Sequence, residues 1–433
     1  MGSAENDTRL MCILILITQI LCFVGFAHAE YGTYGAAAYD MYIGVALMML
    51  VGFGYLMTFL KQYGLGAVGF TFIVTSIAVQ INCLLAAYIP DNNTPVIDPT
   101  SLMDGNFAAA AVLISYGCII GKVSPSQLVV MTIIESVVFQ VNRNMICVKE
   151  FNVEDAGGTI LIHLFGAYFG LAVALVLGKP NDPTGAESSS STSDILSLIG
   201  TVFLWLYWPS FNSGGYAEVG MEVDAGRAVA NTVIGLLASC TTTFITSGLI
   251  AGRLQPVDIQ NATLAGGVAV GSIARMDVGV GWASVIGGLG GVLSTLGYNY
   301  VQPFLQSSRI SLHDSCGVHN LHGMPALFGG LVSIIFVETK RDAGLVNPEG
   351  EAGGYQAAAV FVTLAISIIA GLLTGAALKS MKVALKRLAD YQDKKVSMSS
   401  STTSTSFAER ARSRQSVHFT DDRYWNTSTI QGP

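Results

Sequence analysis

DAGGTILIHLFGAYFG (155–170) and DSCGVHNLHGMPALFGG (314–330) each place a histidine, His163 or His322, eight residues after an aspartate, Asp155 or Asp314. Each pair opens a long apolar segment, and the two segments fall in different halves of the chain. Eight helical residues rise roughly 12 Å. An aspartate at a membrane surface therefore sets its histidine near the midplane of a hydrocarbon core about 30 Å thick. Ionisable groups at that depth are expensive, so they face a bundle interior, a cavity or a partner. The pattern points to a transport pathway.

Composition agrees. Hydrophobic residues make up 51% of the chain and charged residues 12%, and the mean hydropathy is +0.54. That balance over 433 residues describes a polytopic membrane protein and excludes a water-soluble globular domain. No basic stripe interleaved with aromatics is present, so nucleic acid is not an expected partner. The seven cysteines are scattered, some (Cys83, Cys118, Cys240) inside apolar runs and none in a CxxC pair. They read as small buried hydrophobes, not as disulfides or metal ligands. No cofactor is expected.

Charged residues punctuate the chain at helix-length intervals. The apolar spans are 10–29, 41–60, 62–90, 105–121, 123–142, 156–178, 195–217, 228–252, 259–274, 278–308, 315–337 and 352–378. Most have the length that crosses a bilayer. Twelve crossings put both termini on one side. With the termini inside, sixteen lysines and arginines fall on cytoplasmic segments and six on external ones, which supports that orientation. The sequon Asn92-Asn93-Thr94 then lies in an external loop, making Asn92 the expected glycosylation site. Ala27-His28-Ala29 resembles a signal-peptide cleavage site, but the long apolar run behind Glu5, Asp7 and Arg9 favours a retained helix. The expected organisation is a cytoplasmic N-terminus (1–8), a membrane domain (9–385) and a disordered cytoplasmic tail (386–433). Ser397–Ser406 is Ser/Thr apart from Met398, and Arg410, Arg412 and Arg414 follow it; such a segment has no apolar surface to bury.

In this orientation the His163 helix enters from outside and the His322 helix from inside. Spans two to six and seven to eleven then form two inverted five-helix repeats, flanked by one extra helix at each end. That is a common transporter design. Histidine can donate and accept hydrogen bonds while neutral, so matched spacing in two repeats favours a functional pair over two satisfied core residues. For Asp155 and Asp314 the expected role is structural, capping free backbone N–H groups at helix starts, with attraction of cations as a second role. Cys316, His319 and His322 raise a metal site as an alternative, but they spread around a helix and no fourth ligand is evident. No nucleophile–base motif suggests an enzyme.

The stretches GKVSPSQ (121–127), LWLYWPSFNS (204–213) and DIQNATLAGGVAVG (258–271), with the two Asp–His segments, carry a family resemblance. From about residue 40 to 380 the chain resembles the Rh glycoprotein branch of the ammonium transporter/Rh superfamily. The resemblance implies a homotrimer of all-α twelve-helix subunits, each with its own pore. It implies a channel or facilitator for ammonia/ammonium, with carbon dioxide a second candidate permeant, in the plasma membrane or an internal membrane such as a vacuole. The twin pore histidines map onto His163 and His322, with His319 in a supporting or vestibule role. The stacked phenyl gate maps onto Phe107 and Phe211. The tail would offer a site for cytoskeletal or regulatory partners. The alternative within the family is a non-conducting membrane anchor, a kind that resembles this chain but lacks one or both histidines. Two features depart from the ammonium-transporter branch. Residues 141–154 contain no tryptophan, so the outer cation–π site is missing and low affinity is expected. Glu135 sits inside the fifth span, where protonation, pairing with a neighbouring helix and a place at the trimer contact are all open, and structural pairing is favoured over a pore role.

Overall fold

The computed structural model describes residues 2–91, 93–180, 187–216, 221–339, 352–399 and 420–425. The sequon residue Asn92 and the Arg410–Arg414 segment lie outside them. Ten helices among the described residues are long and apolar enough to cross a membrane. The first, α1 (Gly2–Phe26), takes in the residues expected to precede the first span. Its apolar stretch is almost wholly uncovered by protein, only 6% buried, as befits a helix facing lipid. Asp7 on α1 is buried and accepts hydrogen bonds from Ser124 and Ser126.

The first half continues with α2 (Ala36–Leu47), extended by a π-helical turn, then α3 (Gly64–Asp91), α4 (Pro99–Ile119), α5 (Pro125–Gln140) and α6 (Phe165–Leu177). The second half holds α7 (Ser191–Ser213), α8 (Glu222–Ala251), the short α9 (Pro256–Ala262) and α10 (Ala265–Val270), α11 (Val280–Leu296) and α12 (Met324–Thr339). A last helix, α13 (Ala352–Ser399), runs past the expected boundary at residue 385. Part of the tail is docked as well. The turn α14 (Asp421–Tyr424) presents Asp421 carboxylate oxygens to the Leu65 and Gly66 N–H groups at 2.6 and 2.7 Å. Two parallel two-residue strands, Glu30–Tyr31 and Val96–Ile97, tie the loops after α1 and α3 together.

Two expected spans differ from the reading above. The fifth is the 16-residue α5, drawn out by a π-helical segment to Val148. The ninth is broken between α9 and α10, too short in either piece to cross alone. The starts of α4, α5 and α7 follow sequence signals. Asp98, Ser124 and Ser190 form capping boxes with the residue three positions on, and Pro99 and Pro125 open their helices.

Corresponding helices pack alike in the two halves. α3 packs on α5 and α8 on α11; α4 packs on α6 and α10 on α12; α2 and α7, the first of each half, meet each other. The α8–α11 crossing is backbone-close: a Cβ on Gly287 would lie 2.3 Å from the Gly235 carbonyl oxygen, so only glycine fits there. The two ends of the bundle are also distinct. Asp104–Arg143 and Glu154–Arg275 ion pairs sit at the end where α4 begins. Lys122, His313 and Glu187 gather where it finishes. A 21-residue helix separates these ends by about 31 Å, so Asp155 and Asp314 lie toward opposite ends of the bundle. Between them, α4 is the most enclosed span, 89% buried.

Candidate functional site

Both histidines sit on short π-helical segments rather than on the plain α-helix starts expected for the aspartate caps. These are Thr159–Leu164 and His319–Gly323. The local construction repeats. Three residues after each aspartate a glycine, Gly158 or Gly317, adopts a left-handed conformation, φ +65° and +73°. That lets the chain turn back over the carboxylate. Asp155 Oδ2 then accepts hydrogen bonds from the Ile160 and Leu161 N–H groups at 3.0 and 2.7 Å. Asp314 Oδ2 accepts one from the His319 N–H at 2.8 Å. Each π segment packs against the helix that follows the other, Thr159–Leu164 on α12 and His319–Gly323 on α6.

This reciprocal packing brings the imidazoles together. His163 Nδ1 and His322 Nδ1 are 3.1 Å apart, with ring centroids 5.1 Å apart and planes 14° from parallel. Both residues are buried. Aromatic rings extend the pair into a column. On the Asp155 side Phe211 lies 5.7 Å from the His163 ring, and Phe107 lies 4.9 Å from Phe211. On the other side Phe53 stacks on His322 at 5.9 Å. Phe107 and Phe211 meet edge to face, at 80°, and not in the stacked geometry expected of a phenyl gate. The edge-to-face arrangement sets a positive ring edge against a negative ring face.

Trp208, fully buried, lies nearly parallel to His163 at 5.6 Å. Among the described residues neither its Nε1 nor His163 Nε2 has a hydrogen-bond partner. His319 does not join the pair: its ring meets Tyr168 edge to face. His322 points to His163 instead, so Cys316, His319 and His322 serve different neighbours. Glu135 is buried away from the column beside Ser115 of α4.

Charge is placed at the mouths. Burial pushes the Asp155 carboxyl up to about 6, opposed by hydrogen bonds from Ser272 Oγ and the Leu161, Ile160 and Thr159 backbone. At the other mouth Lys122 is buried and donates to the Cys118 carbonyl at 2.7 Å and to the His313 carbonyl. Burial lowers the Lys122 ammonium to about 8, with Cys118, Asp314 and Glu187 opposing. The site is a buried column of rings with titratable groups toward its ends and two imidazoles in the middle.

Sequence reasoning missed Trp208 and Phe53. Trp208 was within reach, since it sits three residues before Phe211 and so on a neighbouring helix face. Nothing marks Phe53 among 20 phenylalanines.

The chain matches the family model described as Ammonium Transporter Family over residues 11–399. It is 42% identical over 364 residues to the ammonium transporter Rh type C of Xenopus tropicalis, covering 79% of this chain and 77% of that one. It is 40% identical over 346 residues to the ammonium transporter Rh type A of Mus musculus, covering 79% and 76%. Among solved structures it resembles Rh50 of Nitrosomonas europaea, from work on conduction by the Rhesus family of channels. That match has a TM-score of 0.70 and 34% identity, covering 80% of this chain and 88% of that one. Mep2 of Saccharomyces cerevisiae shares the fold at a TM-score of 0.65 and 18% identity, covering 78% and 83%.

Proposed function

Because the chain belongs to the ammonium transporter family, we propose that it is an Rh-type channel that strips a proton from ammonium at the mouth and conducts neutral ammonia past His163 and His322. The observation that carries this is the 3.1 Å contact between the two Nδ1 atoms inside a buried ring column. An Nδ1–H···Nδ1 bond needs one donor and one acceptor, so at most one ring of the pair can be an imidazolium. An ammonium ion in the same dry section would meet an apolar wall and lose its hydration. Ammonia loses far less, and it can donate to one imidazole edge and accept from another. The unpartnered His163 Nε2 is such an edge.

In this mechanism Asp155 and Asp314 hold the two turns, Phe107 and Phe211 gate one mouth, and His319 lines the other vestibule. The proton released at entry stays on the entry side, and ammonia leaving the column takes up a different proton from the medium beyond it. Carbon dioxide, being neutral, is a second candidate permeant. The subunit would cross the membrane twelve times, counting α5 and the α9–α10 pair, with inverted halves and both termini in the cytoplasm. Assembly as a homotrimer belongs to the same reading. Residence in the plasma membrane or a vacuole-type membrane, glycosylation at Asn92 and cytoskeletal or regulatory partners for the tail complete the proposal.

Purified protein in liposomes tests the mechanism. An imposed ammonia gradient should alkalinise the lumen without membrane current, whereas a saturable current carried by ammonium would sink conduction of the neutral species.

A further inference from the structure

We propose that Glu135 carries a proton in the middle of the bundle and, through Ser115, positions the helix that bears His163. Glu135 on α5 is fully buried. Ser115 Oγ on α4 lies 2.5 Å from Glu135 Oε1 and 2.7 Å from the Gly166 carbonyl oxygen on α6. A hydroxyl has one hydrogen to give. If Ser115 spent it on an ionised Glu135, its oxygen would face the Gly166 carbonyl as two acceptors with nothing between them. Both contacts are satisfied when Glu135 donates to Ser115 and Ser115 donates to Gly166.

The surroundings agree. Among the described residues no cation pairs with Glu135, and its Oε2 has no hydrogen-bond partner. A carbonyl oxygen tolerates that isolation better than half of a buried carboxylate does. The relay also sits at a close helix crossing. A Cβ on Gly166 would lie 2.5 Å from the Ala111 carbonyl oxygen, and one on Gly170 2.6 Å from Ser115 Cα. The Gly166–Gly170 face of α6 thus rides directly on α4, and Glu135 fastens that crossing from the far side. Gly166 follows His163 by three residues, less than one turn. Any slide of α6 on α4 moves the imidazole against His322. Glu135 is therefore a positioning residue and stands outside the ring column.

The flux readout rests on the proposed ammonia conduction; an infrared readout does not. In the wild-type minus Glu135→Gln difference spectrum we expect the C=O stretch of a protonated carboxyl, unchanged as the medium is taken across neutral pH. A carboxylate signature, or a band that titrates, overturns the proposal. In proteoliposomes Glu135→Gln keeps an N–H donor toward Ser115 and should retain most of the flux. Glu135→Leu has no donor and should lose flux on the order of tenfold, about 1.4 kcal/mol in barrier, with Ser115→Ala following it. Equal losses in the Gln and Leu variants also overturn the proposal. If Glu135→Leu does not assemble, the spectrum and the comparison of Ser115→Ala with Glu135→Gln still decide. If wild-type liposomes conduct no ammonia, the function proposed above fails, and the spectrum tests the proton alone.

Discussion

In the turn that carries His163, Asp155 accepts two backbone N–H groups and the Ser272 hydroxyl; in the turn that carries His322, Asp314 accepts one N–H, from His319. Both turns use a left-handed glycine and a π-helical segment. Around that shared frame the surroundings diverge. His163 has Trp208 and Phe211 on its ring and the Glu135–Ser115 pair behind its helix. His322 has Phe53, and its loop is held by the buried Lys122 and by Gln302, which donates to the Asp314 carbonyl at 3.1 Å. The difference separates two tasks: the backbone device delivers an imidazole to the bundle interior, and the surroundings give each ring its own chemistry.

The strongest way to break the comparison is to remove the carboxylates. Asp155→Ala orphans two N–H groups and Asp314→Ala one, at about 1–3 kcal/mol for each buried group. Thermal unfolding in detergent should show the larger loss for Asp155→Ala; equal losses would mean the caps do not hold the turns. Next, Gly158→Ala and Gly317→Ala should each cost about 1–3 kcal/mol. A Cβ there would meet Ile162 Cδ1 at 2.4 Å or Asn320 Oδ1 at 2.5 Å, within the turn itself. Similar drops in melting temperature would show the two devices to be equivalent.

His163→Ala and His322→Ala should each lower ammonia flux on the order of tenfold, about 1.4 kcal/mol in barrier, with little change in stability. Unchanged flux in both variants removes the paired-imidazole mechanism. A last test is a pH slope of opposite sign at the two ends. Asp155 is raised to about 6 from 3.8, so its folded-state advantage is complete below 3.8 and lost as pH rises through 6. Lys122 is lowered to about 8 from 10.5, so stability grows as pH rises from 8 toward 10.5. Melting curves of Asp155→Asn and Lys122→Met against wild type should each flatten their own window and leave the other.

Much of this was legible in the chain. Ten of the twelve spans follow from the charge spacing, and Asp155, His163, Asp314 and His322 announce themselves because their spacing is a local property. The break between α9 and α10 was visible only as a short ninth span. The π-helical form of both histidine turns had no signal, since it depends on a hydrogen-bond register that sequence does not display. Phe107 and Phe211 were named from the resemblance; their edge-to-face angle was not, because it is set by where the bundle as a whole places α4 and α7. The docking of Asp421 on the start of α3, inside a tail read as disordered, is a contact 355 residues long in sequence.

Which segments are apolar enough to cross a membrane, and that two histidines each stand eight residues after an aspartate, the sequence settles alone. Burial of apolar side chains and the placement of lysine and arginine are decided segment by segment, by transfer between water and lipid. That the two imidazoles touch, what rings flank them and where Glu135 places its hydrogen bond, only the tertiary structure decides. Those distances depend on how far one helix slides on another, and close packing at glycine crossings fixes that slide to fractions of an ångström.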